Sequence, residues 1–230
     1  MKNYLVVGGS SGIGEAVVQL LRDANHHVIA TYFNRPKENA ERASYRFFNV
    51  LDKSTPLDFI PPVLDGLVFC PGSISLKPFS RLSQEDLFLD FDLQVAGAIR
   101  VIQSCLPSLK KSSAPSVVLI SSVAAYTGLA YHAQVSAIKS AIEGLTRSLA
   151  AEFAPAIRFN CVAPSLTDTP LAGHLLNTPE KRDANAARHP LKKIGEAEDI
   201  ASCICYLLSE QSKWITGQTL RVDGGISTLK

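Results

Sequence analysis

The residues best suited to chemistry near the N-terminus form the turn Gly8-Gly9-Ser10-Ser11-Gly12-Ile13-Gly14, between a short apolar run and a helical pattern. Glycines let a backbone turn tightly and approach a phosphate closely, and the free amides and dipole of a helix N-terminus attract negative charge. The spacing is G-x-x-x-G-x-G, and glycines also form ordinary turns. The segment predicts a phosphate-binding turn, provided that other parts of the chain agree.

Two further side chains suit charge stabilisation and proton transfer. Lys139 lies inside an apolar helical pattern, where a lysine is uncommon unless its amine has a partner. His132 lies seven residues earlier, and an imidazole titrates near neutral pH. Both residues are therefore candidates for an active site.

The elements that must position these residues follow from the hydrophobic pattern. Short Val- and Ile-rich runs alternate with longer helical patterns, which is typical of an α/β fold with a parallel sheet and helices on both faces. We expect one domain over residues 1–230, because one open sheet can hold a chain of this length. The predicted strands are 4–7, 27–32, 45–48, 66–69, 116–120, 157–162 and 219–222, and the predicted helices are 12–23, 83–109, 133–153 and 197–208.

Net charge and composition limit the classes of molecule that the protein is expected to bind. A net charge of +2 gives no basic surface that would favour nucleic acid or an anionic membrane, and the apolar run before Gly8 is too short for a signal peptide or a membrane span. We expect a cytoplasmic protein with a small-molecule substrate. Five scattered cysteines predict free thiols and no metal site, since Cys203 and Cys205 lie two apart on a helix and point to nearly opposite faces.

One region breaks the alternation. Residues 165–190 contain Thr-Asp-Thr-Pro, Asn-Thr-Pro and His-Pro, which predict a long interrupted loop. Long loops of this kind often cover binding sites. The part from Leu171 to Arg188 is the expected lid, and its basic residues make a polar or acidic substrate conceivable.

Several motifs occur in one order along the chain. They are the glycine turn, Ile120-Ser121-Ser122, Lys139, Asn160 to Pro164, Thr167-Asp168-Thr169-Pro170, Ile215-Thr216-Gly217-Gln218 and Val222-Asp223-Gly224-Gly225. In this order and spacing the chain resembles the short-chain dehydrogenase/reductase family over almost its whole length. The resemblance implies a Rossmann-type, doubly wound sheet of seven parallel strands, an NAD(P) cofactor and a homodimer or homotetramer formed through the long helices.

The resemblance also implies the cofactor contacts. It assigns them to Gly8, Ser10, Ser11, Gly12, Ile13, Gly14, Asn49, Val50, Cys70, Pro71, Gly72, Lys139, Pro164, Leu166 and Thr169. Some positions depart from the family pattern: Asn49 replaces Asp, and Ser165 replaces Gly. Backbone contacts should survive such changes better than side-chain contacts.

The end of the second strand bears on which dinucleotide binds. NAD usually needs an acidic residue there for the ribose hydroxyls, whereas the 2′-phosphate of NADP needs a cation. The segment ends in Asn34-Arg35 and contains no carboxylate. It favours NADP, with NAD possible.

The implied active site lacks one residue. The family uses a Tyr as proton donor, a Ser to orient the substrate oxygen and a Lys four residues after the Tyr. Ser122 and Lys139 match the last two, but Val135 stands in the Tyr position, and Gln94 stands where an Asn usually serves a proton relay. The proton must then come from another group.

The nearest replacement is His132, with Tyr131 beside it. A spacing of seven to the lysine is similar to that of enoyl-acyl carrier protein reductases, a divergent branch of the family. Three functions follow. The first is a carbonyl or alcohol oxidoreductase whose donor is His132, Tyr131 or water; the second is a reductase of conjugated C=C bonds; the third is a dinucleotide-binding protein without turnover.

Overall fold

The computed structural model describes residues 1–229, and its centre is a sheet of seven parallel strands. In chain order these are β1 (Asn3–Val7), β2 (His27–Tyr32), β3 (Ala43–Phe47), β4 (Gly66–Phe69), β5 (Ser116–Ile120), β6 (Arg158–Pro164) and β9 (Thr219–Val222); the short β7 (Thr167–Asp168) and β8 (Gly195–Glu196) pair separately. The spatial order is β3-β2-β1-β4-β5-β6-β9, with every neighbour parallel. The predicted Rossmann-type α/β sheet is confirmed.

Six α-helices lie in the described part of the chain. They are α1 (Gly12–Asp23), α2 (Gln84–Phe91), α3 (Gly97–Leu109), α4 (Ala133–Phe153), α5 (Pro179–Arg188) and α6 (Ala197–Leu208). Helices α1 and α6 enclose one core through Val17 and Ile204, whereas α3 and α4 enclose the other through Ile102 and Ile142. The central strands are buried on both faces, which explains why their sequences are continuous apolar runs. None of these helices is long and apolar enough to cross a membrane.

The predicted helix over 83–109 is interrupted. Ser83 is its N-cap and accepts a hydrogen bond from the Asp86 amide at 3.1 Å. Between α2 and α3, residues Asp92–Ala96 form a π-helical turn that holds Gln94 in a buried position. Such turns are rare in proteins as a whole, and those that occur often lie at functional sites.

The prediction of a long interrupted loop over 165–190 was wrong for two parts of it, which form β7 and α5. Thr178 caps α5 by accepting a hydrogen bond from the Lys181 amide at 3.3 Å, and Pro179 occupies the first turn, where its missing N–H costs nothing. A 2.7 Å ion pair joins Arg182 to Asp168. The proline therefore starts a helix instead of breaking one. Elsewhere, β1, β3 and β6 differ from the predicted strands by one or two residues at their ends.

Candidate functional site

A cavity of about 450 Å³ opens beside the glycine turn at the carboxyl ends of the first strands. In open α/β sheets this edge is where ligands bind. The cavity collects nine of the residues predicted to bind the cofactor, namely Gly8, Ser10, Ser11, Asn34, Arg35, Asn49, Val50, Pro71 and Gly72.

The backbone of the glycine turn fits a dinucleotide phosphate. Gly8 has φ +76°, and a Cβ on Gly14 would overlap the Gly8 carbonyl oxygen, so only glycine permits this close approach. The Gly8 amide donates to Thr31 Oγ1 at 3.0 Å, which ties the turn to β2. Helix α1 begins without a side-chain cap at Ser11 in the described structure, so its first amides remain free to bind an anion.

Other predicted cofactor residues surround this cavity without lining it. Thr169 lies against the turn, because a Cβ on Gly12 would approach the Thr169 Cβ to 3.2 Å. Ile13 packs against the core, and Pro164 is buried at the end of β6. Burial raises the pKa of the Cys70 thiol to about 12, so this thiol is not reactive.

A second cavity, of about 220 Å³, is lined by Val135, the residue that the family resemblance aligns with a tyrosine. Ser122, His132 and Val135 line it together, as does Leu166, which was predicted to contact the cofactor. The remaining wall is mainly aliphatic and includes Ile74, Leu76, Leu129, Leu175 and Ile226. The structure thus brings the predicted serine and histidine together with Val135.

Neither nearby tyrosine lines this cavity. Tyr131 is 62% exposed and has φ +68°, and Tyr126 is 67% exposed with the Arg221 guanidinium 4.1 Å from its ring centre. Tyr131 is therefore a weaker candidate for the donor than His132.

The hydrogen bonds of Ser122 and His132 define what each can do. Ser122 Oγ accepts from the Ala124 amide at 3.2 Å, so its own hydroxyl proton is available to a ligand. His132 Nδ1 lies 2.7 Å from the Ala130 carbonyl oxygen. Because a carbonyl only accepts, the proton is on Nδ1, and Nε2 is the nitrogen left for a ligand. His132 precedes α4 but makes no side-chain capping bond.

Lys139 and Gln94 are buried beside the first cavity, the one at the glycine turn. Lys139 is 7% exposed and Gln94 is 2% exposed. A Cβ on Gly72, which lines that cavity, would lie 3.4 Å from Gln94 Oε1 and 3.7 Å from Lys139 Nζ. The Lys139 amine donates to the Ile120 carbonyl at 3.0 Å. Burial lowers the pKa of Lys139 to about 8, against the opposing effect of Cys161, Asp90 and Cys70.

Polar residues not singled out from the sequence as site residues also line the second cavity. His189, 3% exposed, lies 2.9 Å from Ser165 Oγ through Nε2 and 2.9 Å from the Asn185 carbonyl oxygen through Nδ1. Thr127 contributes a buried hydroxyl with no partner among the described residues. The sequence signals for these groups were Ser165 in place of Gly and the predicted loop over 165–190, but nothing in the sequence linked Ser165 to a histidine 24 residues away.

Comparisons with known proteins agree with this geometry. A family model described as enoyl-(acyl carrier protein) reductase matches residues 61–227. A tropinone reductase homologue of Arabidopsis thaliana is 32% identical, over 98% of this chain and 92% of its own length. A short-chain dehydrogenase family protein from Francisella tularensis is similar at a TM-score of 0.90 and 28% identity, and ElxO with NADP bound at 0.91 and 29%; each match covers 100% of both chains.

The matches span the sheet, the glycine turn and the second cavity, and the fold and sequence similarity agree. The chain belongs to the short-chain dehydrogenase/reductase family of NAD(P)-dependent oxidoreductases.

Proposed function

We propose that the protein transfers hydride between NADP and a carbonyl or alcohol substrate, with a proton donor other than residue 135. The observation that carries this proposal is the shared lining of one cavity by Ser122, His132 and Val135, next to a buried lysine. When bound, the cofactor supplies or accepts the hydride. The protein contributes binding, orientation and the proton.

The proposed roles follow from the hydrogen bonds. Ser122 donates its hydroxyl proton to the substrate oxygen, since Oγ already accepts from the backbone. Lys139 holds the nicotinamide ribose with the donors that the Ile120 carbonyl leaves free. Gln94 faces the amine from beside Gly72 and takes part in its proton exchange. Val135 provides an apolar wall and no proton.

We propose His132 as the donor. Its Nδ1–H is fixed on the Ala130 carbonyl, so the ring can deliver a proton only from Nε2 when it is protonated. A positioned general acid contributes about 10²- to 10⁴-fold in rate. The Ser165–His189 pair lines the same cavity and is the competing donor.

The test is NADPH consumption with a panel of cyclic ketones, aldehydes, sugars and enones, followed by three variants. His132→Ala should lower kcat by about 10² or more at unchanged NADP affinity. His174→Ala, an exposed histidine, is the control and should keep full activity. Loss of activity in His189→Gln with retention in His132→Ala would transfer the role to the Ser165–His189 pair.

Two results would contradict the proposed reaction. Turnover of enones alone would identify a conjugate C=C reductase. NADP binding without turnover of any compound in the panel would identify a non-catalytic binder.

We also propose a preference for NADP over NAD. The residues that line the first cavity include no carboxylate, and Arg35 is their only cation. Arg35→Ala should weaken NADP binding about tenfold and leave NAD binding unchanged, whereas Arg42→Ala, an arginine that does not line the cavity, should affect neither. Equal losses for both dinucleotides would refute a 2′-phosphate contact.

Self-association is proposed from apolar side chains on α2 and at its end. Phe88, Leu89 and Phe91 are 63%, 58% and 42% exposed. On α4, Leu145 and Leu149 are only partly buried. We expect a homodimer or homotetramer by light scattering. A cytoplasmic location stays a prediction.

A further inference from the structure

Asp90 is a buried carboxylate at the centre of three segments of the site. It is 4% exposed and lies on α2. Its Oδ1 accepts from Ser73 Oγ at 2.6 Å and Gln94 Nε2 at 2.5 Å, and its Oδ2 accepts from Gln134 Nε2 at 3.0 Å. Gln134 directly precedes Val135. The carboxylate thus joins the segment after β4, the π-helical turn and the first turn of α4.

This contact determines the orientation of the Gln94 amide. An ionised carboxylate only accepts hydrogen bonds, so it requires the NH₂ group of Gln94 and turns Oε1 away. That oxygen is buried and accepts no hydrogen bond from the described residues. A Cβ placed on Gly72 would lie 3.4 Å from Gln94 Oε1 and 3.7 Å from Lys139 Nζ. The two atoms therefore face the same space beside Gly72. The amine and this acceptor form no direct hydrogen bond, and a bridging water molecule would join them.

The charge of Asp90 has a second effect on the amine. A buried ammonium is costly without compensation. The groups facing Lys139 are Cys70 after β4, Cys161 on β6 and Asp90 on α2. Burial raises the pKa of both thiols to about 12, so neither is charged near neutral pH. Glu143, one turn along α4, accepts a hydrogen bond from Ser121. Asp90 is therefore the one carboxylate among the groups of the described chain that face Lys139.

We propose that Asp90 is a positioning residue for hydride transfer: it directs the Gln94 carbonyl oxygen toward Lys139 and is the counter-charge that keeps this amine protonated. The inference rests on the proposed function, because the ammonium form of Lys139 is the form that donates to the ribose. Asp90 acts only through Gln94 and Lys139, and it touches neither of the two cavities.

Asp90→Asn tests both effects with almost no change of shape. The neutral side chain removes the charge, and its NH₂ group allows the Gln94 amide to turn over. We expect kcat/KM to fall at least tenfold at neutral pH, and the upper pH limit of activity to move to lower pH, because loss of the carboxylate charge lowers the pKa of Lys139 further. Asp92→Asn, an exposed neighbour in the π-helical turn, should change neither.

A second measurement does not depend on turnover. The NMR titration of the Lys139 side chain, in the full chain with and without NADP, should move to lower pH in Asp90→Asn. If this shift appears but no substrate is turned over, the positioning inference stands and the proposed reaction fails.

Gln134→Met separates positioning from simple cross-linking, since it cuts the tie to α4 and leaves the Asp90–Gln94 contact intact. We expect it to lower thermal stability without moving the Lys139 titration. The inference is overturned if Asp90→Asn lowers stability only, with the titration and the pH profile unchanged, or if Gln134→Met moves the titration equally.

Discussion

The two cavities of the site are built by different means. The first cavity depends on one contiguous turn, in which Gly8 has φ +76° and Gly14 lies so close to the Gly8 carbonyl oxygen that a Cβ would overlap it. The second cavity depends on side chains from separate segments, among them Ser122, His132 and His189. A backbone site tolerates little change at its glycines, whereas a side-chain site can exchange one residue and keep its shape. If Val135 replaces a tyrosine donor, as we propose, the exchange leaves the first cavity unchanged.

The largest expected effect is a loss of NADP affinity at the first cavity. In Gly14→Ala, the Cβ would overlap the Gly8 carbonyl oxygen, so the turn must open. NADP affinity, measured by calorimetry, should fall more than about 100-fold, which corresponds to loss of several phosphate contacts. Gly144→Ala on α4 meets nothing within 4 Å and should stabilise the fold by up to about 1 kcal/mol. Unchanged NADP binding in Gly14→Ala would refute the distinction between the cavities.

The second largest effect is a loss of kcat that should distinguish Ser122 from its neighbour Ser121. Ser122→Ala removes a hydroxyl from the second cavity and should lower kcat by about 10²-fold while cofactor affinity stays constant. Its structural cost is the lost acceptor for the Ala124 amide, about 1 kcal/mol. Ser121→Ala is the matched control, because Ser121 Oγ donates to Glu143 at 2.8 Å outside that cavity. Equal losses of kcat in both variants would indicate a structural role only.

The smallest expected effect is a gain in ketone reduction. Val135→Tyr restores a phenol four residues before Lys139, in a wall position that is 8% exposed at present. Reduction of small ketones should rise about tenfold, while activity on bulkier ketones rises less or falls because the ring occupies part of the 220 Å³ cavity. Steady-state kinetics on two ketones of different size would measure both changes. No gain with any ketone would show that the site is not otherwise arranged for carbonyl reduction.

Local signals predicted some elements well and others poorly. The bounds of α1, α4 and α6 were predicted to the residue, since their apolar periodicity continues to both ends. Helix α5 was missed although Thr178 and Pro179 form a standard helix start, because its ten residues include no buried side chain and so lack an apolar stripe. The π-helical turn has no pattern of its own and was included in one long helix.

The sequence by itself determined the α/β class, the glycine turn between β1 and α1, and the valine at residue 135. These properties depend on residue type and on spacing within single segments, and both can be read from the sequence. Only the tertiary structure decided that Ser165 meets His189, and that Asp90 joins Ser73, Gln94 and Gln134. Those contacts form between segments up to 44 residues apart, and it is the packing of helices against the sheet that brings their side chains within hydrogen-bond distance.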